Sequence, residues 1–266
     1  FKQKTAYEIG VRLVGSEMCI RDRYSAFARI YDAWQRIYGT EYAILVAPRV
    51  NQRLSHHVGR PRRLLDLGCG TGTHALLQCH GGTEVIGLDI STAMVRQARN
   101  RAKCEGKPVQ FVIGDMRSLD IEQSVDAVTC LYASLNHLLD PNDLSQVFRK
   151  VAQHLQPGGV FIFDLNSRVA FETLWRTPIR ERGRDFILHR RFEVSGAVTT
   201  MHLDIELAGS EHTHETLVAR WFETENVCSD LAAAGLNVES VSHFNPFPGV
   251  PGDRLKELWT VTRPSL

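Results

Sequence analysis

The run Leu64-Leu65-Asp66-Leu67-Gly68-Cys69-Gly70-Thr71-Gly72-Thr73 puts an acid and three alternate glycines where an apolar strand gives way to a turn and a helix. Without a Cβ at Gly68, Gly70 and Gly72, the backbone can bend sharply and come close to the edge of a ligand. The helix behind the turn points unpaired N–H groups and its positive dipole end at the same place, which favours a carboxylate or phosphate. Asp89 ends the next apolar run in Gly87-Leu88-Asp89-Ile90-Ser91, where a carboxylate can accept from both hydroxyls of a ribose. Gly114-Asp115-Met116-Arg117 follows a third strand end, and His137 lies in the segment Thr129-Cys130-Leu131-Tyr132-Ala133-Ser134-Leu135-Asn136-His137-Leu138. A histidine there can take or orient a proton near neutral pH, or form part of a substrate wall.

The elements that must carry these groups alternate between strand and helix from Arg62 to Asp164, the mark of a parallel sheet built from βαβ units. Strands are expected at Arg63 to Leu67, Glu84 to Asp89, Val109 to Ile113, Val125 to Leu131 and Val160 to Asp164. Ser91 caps one intervening helix, whose inner face is Met94, Val95, Ala98 and Ala102. Asp140 caps another, with Pro141 in the first helical position and a buried stripe of Leu144, Val147, Phe148, Val151 and Leu155. Beyond Asp164 the period changes: Phe186 to Phe222 reads as two or three antiparallel strands, an insertion over about 183–222 that covers the open end of the sheet as a substrate lid. A helix ending near Gly235 and strands around Val238 to Phe244 and Leu258 to Val261 bring the chain back to the core of one domain, 24–266. The expected fold is α/β and Rossmann-like, mostly parallel, with helices on both faces.

A glycine turn alone is shared with dinucleotide-binding folds, whose G-x-G-x-x-G/A keeps a small sixth residue. Here that residue is Thr73. The whole stretch resembles motif I of class I S-adenosylmethionine-dependent methyltransferases, and the Gly114-Asp115-Met116 segment is similar to their adenine-binding segment. The region after the fourth strand, and Tyr24-Ser25-Ala26-Phe27-Ala28-Arg29-Ile30-Tyr31-Asp32, resemble small-molecule members, amino-sugar N-methyltransferases among them. The resemblance implies S-adenosylmethionine as cofactor. Its contacts would be Tyr24, Asp66 (holding the methionyl amino group through water), Gly68, Cys69, Gly70, Gly72, Asp89, Ile90, Asp115 (accepting from the adenine amino group), Met116 (packing on that ring) and Leu131. His137 and Tyr31 are the catalytic candidates, Tyr31 reading equally as helix packing. The implied reaction is in-line methyl transfer to an N or O nucleophile of a small molecule. An NAD(P)-dependent oxidoreductase and a non-catalytic module that binds S-adenosylmethionine are the alternatives.

The remaining features narrow the partners. Thirty-one Lys and Arg against 30 Asp and Glu leave no global field for nucleic acid or an anionic membrane. The six cysteines form no C-x-x-C pair and suit a reducing, cytoplasmic compartment. The 43% hydrophobic content includes no apolar run of the roughly 20 residues that cross a bilayer. His202, His212 and His214 alternate on a strand, but without carboxylates or cysteines at ligand spacing they read as an exposed hairpin face, and no metal is expected. Residues 1–23 lack an initiator Met, and the run from Val11 to Arg23 resembles translated sequencing adapter, so a non-native leader is expected there. The acceptor is expected to be a small molecule, and the protein a monomer or homodimer.

Overall fold

The computed structural model describes residues 24–209, 211–247 and 250–265; the expected leader, 1–23, and with it Cys19, lies outside them. Two helices, α1 (Phe27–Ile37) and α2 (Tyr42–His57), precede the sheet. The alternating part then runs β1 (Arg63–Leu67), α3 (Thr73–Gln78), β2 (Glu84–Asp89), α4 (Thr92–Glu105), β3 (Gln110–Ile113), β4 (Val125–Cys130), α5 (Pro141–His154) and β5 (Leu155–Asn166). Both expected caps form: the Ser91 hydroxyl accepts from the Met94 N–H, and the Asp140 carboxylate from that of Asn142.

After the short α6 (Arg168–Thr173) come β6 (Ile179–Arg182), β7 (Phe186–Ser195), β8 (Val198–Leu207) and β9 (Glu211–Arg220). Three antiparallel strands fill the expected range from Phe186 to Phe222, and the short β6, which carries little periodicity of its own, adds a fourth before it. The chain closes with α7 (Thr224–Ala233), β10 (Asn237–Phe244) and β11 (Lys256–Thr262).

The seven-stranded sheet has the order β10-β11-β5-β4-β1-β2-β3. It is parallel except for β11, which runs antiparallel to both β5 and β10. From β1 the chain builds outward through β2 and β3, then crosses back to place β4 on the other side of β1. The order reverses there, so a crevice opens at the carboxyl ends of β1 and β4, where open α/β sheets take their ligands. The two faces are filled separately. Val46, Val50, Ala75, Val95 and Ala98 pack on one, and Leu144, Val147, Phe148, Val227 and Leu231 on the other.

A third apolar cluster joins Phe27 and Ile30 of α1 to Leu188, Leu203, Ile205 and Leu217 of the small sheet. Glu215 of β9 fixes this contact, because its carboxylate accepts from the backbone N–H groups of Ala26 (2.5 Å) and Phe27 (3.1 Å) at the start of α1. Those donors have no partner within a helix. The lid helix and the antiparallel sheet thus form one packed body over the crevice.

Gly72 precedes α3 at φ +83°, and a Cβ there would sit 2.6 Å from Phe111 and 3.0 Å from the Ala98 methyl. Gly72→Ala is therefore expected to lose about 3 kcal/mol of stability in urea unfolding, from backbone strain and overpacking together. A loss below about 0.5 kcal/mol would contradict this packing.

Candidate functional site

Three cavities meet under the lid. The first, about 210 Å³, runs from Gly68 and Gly70 past Asp89, Ile90, Met94, Asp115 and Met116 to Ser134 and His137. The second, about 60 Å³, lies behind the glycine turn and is bordered by Asp66, Cys69, Thr71, His74, Leu131 and Tyr42. The third, about 370 Å³, is walled by rings: Tyr24, Phe27, Tyr31, Trp34, Tyr132 and Trp175, with Asn136, His137 and Arg190. Tyr31 and Tyr132 border all three.

The glycine turn is held where strand ends come together. Gly68 stands at φ +63°, and a Cβ on it would lie 2.6 Å from the Ser134 hydroxyl, so the turns after β1 and β4 can touch only without a side chain. Asp89 accepts from the N–H of Gly70 and from that of Ser91, both at 2.8 Å, which locks the carboxylate against the turn. Burial pushes the Asp89 carboxyl up, while these backbone donors pull it down. Asp66 is 2% exposed. One of its oxygens accepts from Thr129 at 2.8 Å, and Oδ2 has no hydrogen-bond partner among the described residues. Burial pushes its carboxyl up to about 7.

His74 is a residue that sequence reading passed over, since nothing in its spacing distinguishes it from a helix-packing side chain. It borders the same small cavity, and both its ring nitrogens are buried without partners among the described residues. Burial brings its pKa down to about 4. Two buried groups without partners beside one cavity leave hydrogen-bonding capacity that a polar ligand could complete. An amino acid moiety in the small cavity, joined to a nucleoside in the first, fits this cradle.

Two of the expected cofactor residues, Gly72 and Asp115, meet other parts of the protein. Gly72 borders none of the three cavities, and its lack of a side chain serves the contact with Phe111 and Ala98 instead. Asp115 does border the first cavity, yet both its oxygens are held by the Arg117 guanidinium at 2.5–3.0 Å, and Arg117 also bridges to Asp143 at 2.9 Å. Burial raises the Asp115 carboxyl, but the Arg117 hydrogen bonds outweigh it and hold it below its usual value. An adenine amino group would have to share this carboxylate with Arg117. Cys69 borders only the small cavity, and burial holds its thiol far above the usual range, so it is not a nucleophile.

At the border of the first and third cavities, His137 Nδ1 lies 2.9 Å from the Val218 carbonyl and Nε2 lies 3.0 Å from the Tyr24 hydroxyl. A carbonyl only accepts, so Nδ1 carries a proton; when the ring is neutral, the Nε2 lone pair accepts from Tyr24. Burial, with Tyr132 nearby, holds the Tyr31 phenol well above its usual pKa and keeps it protonated. The turn after β4 is strained: Tyr132 and Ala133 both adopt left-handed backbone, at φ 61° and 60°, at a cost of about 1–2 kcal/mol each. Trp34, Tyr38 and Arg190 were not foreseen, and they converge on Glu181. Its carboxylate accepts from Trp34 at 2.9 Å, from Tyr38, and from Arg190 through two bonds of 2.7 Å. On the outer face of the small sheet, His214 pairs with Asp204 at 2.8 Å. Among the described residues no group of three or more His, Cys, Asp or Glu is placed to hold a metal ion, and no helix is long and apolar enough to cross a membrane.

Fold, switch-point crevice and the partnerless oxygen of Asp66 agree with the resemblance to class I S-adenosylmethionine-dependent methyltransferases. Comparison with known proteins agrees: residues 64–159 match the methyltransferase domain family. The match decides against a dinucleotide-dependent oxidoreductase. A dTDP-4-amino-2,3,4,6-tetradeoxy-D-glucose N,N-dimethyltransferase of Saccharopolyspora spinosa is 34% identical over 137 residues, 52% of this chain and 53% of the relative. A dTDP-3-amino-3,6-dideoxy-alpha-D-glucopyranose N,N-dimethyltransferase of Streptomyces fradiae is 26% identical over 87% of this chain and 93% of its own. At 30% identity or more, the chain spans about half the length of the curated relatives it matches. Among solved structures, an S-adenosylmethionine-dependent methyltransferase from Clostridium acetobutylicum superimposes with a TM-score of 0.76 at 22% identity, over 91% of this chain and 99% of that one, and so shares the fold.

The raised Asp66 carboxyl has a consequence for stability. Its contribution is present below the ordinary carboxylate pKa of about 4 and is lost as pH rises through about 7, because the folded state must then bury a charge. Asp66→Asn keeps the oxygen that meets Thr129, so its ligand-free Tm is expected to exceed that of the wild type at about pH 8 and to converge with it near pH 4. A variant less stable than wild type at pH 8 would contradict the burial of this acid.

Proposed function

We propose that the protein transfers a methyl group from S-adenosylmethionine to an N or O nucleophile of a small molecule, the donor lying in the 210 and 60 Å³ cavities and the acceptor in the 370 Å³ cavity. One observation carries this reading: the donor and acceptor cavities share Tyr24, Tyr31, Tyr132, His137 and Leu217 as a common border, so two ligands would meet there. The relatives named above as N,N-dimethyltransferases of amino sugars support an amine as the nucleophile.

When bound, the cofactor supplies a methyl group already activated by a sulfonium. The protein's work is then alignment and the exclusion of water, and good alignment is worth about 7–11 kcal/mol. Gly68, Gly70 and Asp89 hold the nucleoside side, Ile90 and Met116 pack along it, and Asp66 and His74 meet the amino acid end. The aromatic walls exclude water around the acceptor. An N–H or O–H acceptor that receives the methyl group has a proton to lose. The Tyr24 oxygen takes it while passing its own hydrogen to His137 Nε2, with Nδ1–H held by Val218. Tyr31 stays neutral and shapes the junction. The small sheet and α1, packed together, act as the lid.

A tritium-transfer screen with amine, hydroxyl and carboxyl acceptors tests the activity. Label is expected in a small amine or alcohol, and binding without label in any acceptor would reduce the protein to a binding module. With the acceptor in hand, Tyr24→Phe and His137→Ala are each expected to lower kcat about 10²-fold, within the usual range for proton transfer, with S-adenosylhomocysteine affinity changed less than about threefold. Unchanged turnover in His137→Ala would reject the proton route.

A further inference from the structure

Tyr132 borders every cavity, yet no contact used above explains why it and Ala133 keep a left-handed backbone. The groups that hold them come from two strands distant in sequence. Asp164, near the end of β5, accepts from the Ala133 N–H at 2.8 Å through Oδ1. Its Oδ2 accepts from the Lys256 ammonium at 2.8 Å and from the Tyr42 hydroxyl. The Tyr42 ring stacks on Tyr132, with centroids 4.4 Å apart and planes 10° off parallel. The Lys256 nitrogen lies 4.8 Å from the first ring centre and 5.4 Å from the second. Asp164 is 0% exposed and Lys256 1%.

A fully buried ion pair is a poor stabiliser, because desolvation offsets most of the attraction and an apolar pair would serve folding as well. The pair is therefore best explained by what it holds in place. We propose that Asp164 and Lys256 are positioning residues for methyl transfer. Asp164 tethers the Ala133 N–H, Lys256 holds the other carboxylate oxygen of Asp164 and lies against both rings, and the Tyr132–Ala133 turn is thereby set as the wall between donor and acceptor. The inference rests on the methyltransferase reading above. Neither residue touches the reacting atoms; each acts through the turn.

Three variants separate this role from plain stability. Asp164→Ala removes the acceptor from Ala133, Asp164→Asn keeps an oxygen there, and Lys256→Met removes the cation at similar volume. Leu258→Ala, buried on the same strand, serves as the control for lost stability. The readouts are S-adenosylhomocysteine affinity by calorimetry in the cold, with folding checked by circular dichroism, and kcat and KM for a labelled acceptor. Asp164→Ala is expected to weaken affinity about tenfold and to lower kcat/KM about 100-fold, Asp164→Asn to regain most of both, and Lys256→Met to weaken affinity about threefold or more. Leu258→Ala is expected to lower Tm and leave affinity within about twofold. If Asp164→Ala does not fold, Lys256→Met carries the test. Affinity within twofold of wild type in the folded Asp164 and Lys256 variants, or an equal loss in Leu258→Ala, would overturn the proposal. Label transfer by the wild type decides the methyltransferase reading, and the ratio of variant to wild type decides the positioning role.

Discussion

Two turns pressed against each other govern the site. The chain leaves β1 through Gly68 and leaves β4 through Tyr132, Ala133 and Ser134, and the space between them excludes even a methyl group. The sheet order makes this contact unavoidable, since β1 and β4 are neighbours on which the chain changes direction. With both turns bent away from the strand ends, a crevice remains above the sheet and polar backbone faces it. Every cavity under the lid borders one of these two turns.

Burial then sets the electrostatics. Asp66 and Asp89 stand at the ends of adjacent strands in surroundings that raise both carboxyls. Asp89 is satisfied by the protein's own N–H groups, whereas Asp66 keeps an oxygen without a partner among the described residues. The first therefore shapes the turn and the second awaits a donor. Toward the acceptor side the polar groups are paired among themselves: Arg190 with Glu181, and Lys256 with Asp164. What remains exposed to that cavity is largely aromatic, suited to excluding water from a reacting pair.

Much of the cofactor side was legible in the sequence because its determinants are local. Glycines within five residues, Asp89 accepting from the Ser91 N–H, and the Ser91 and Asp140 caps all act on backbone a few positions away. Gly72 shows the limit of such a reading: a glycine in this turn looks the same whether it admits a ligand or the Phe111 ring. The acceptor side was mostly illegible. Tyr24 meets His137 across 113 residues, Glu215 reaches the start of α1 across 189, and Lys256 finds Asp164 across 92. No periodicity announces such pairs; they follow from the strand order. Arg117, two residues from Asp115, was local enough to foresee, but the motif pointed to a base instead.

The most direct trial of this account is a calorimetric titration of the folded wild-type protein with S-adenosylhomocysteine, alongside NAD. The cradle described here predicts one equivalent of S-adenosylhomocysteine taken up with measurable heat, and none of NAD. A folded protein that takes up NAD, or neither compound, would contradict it.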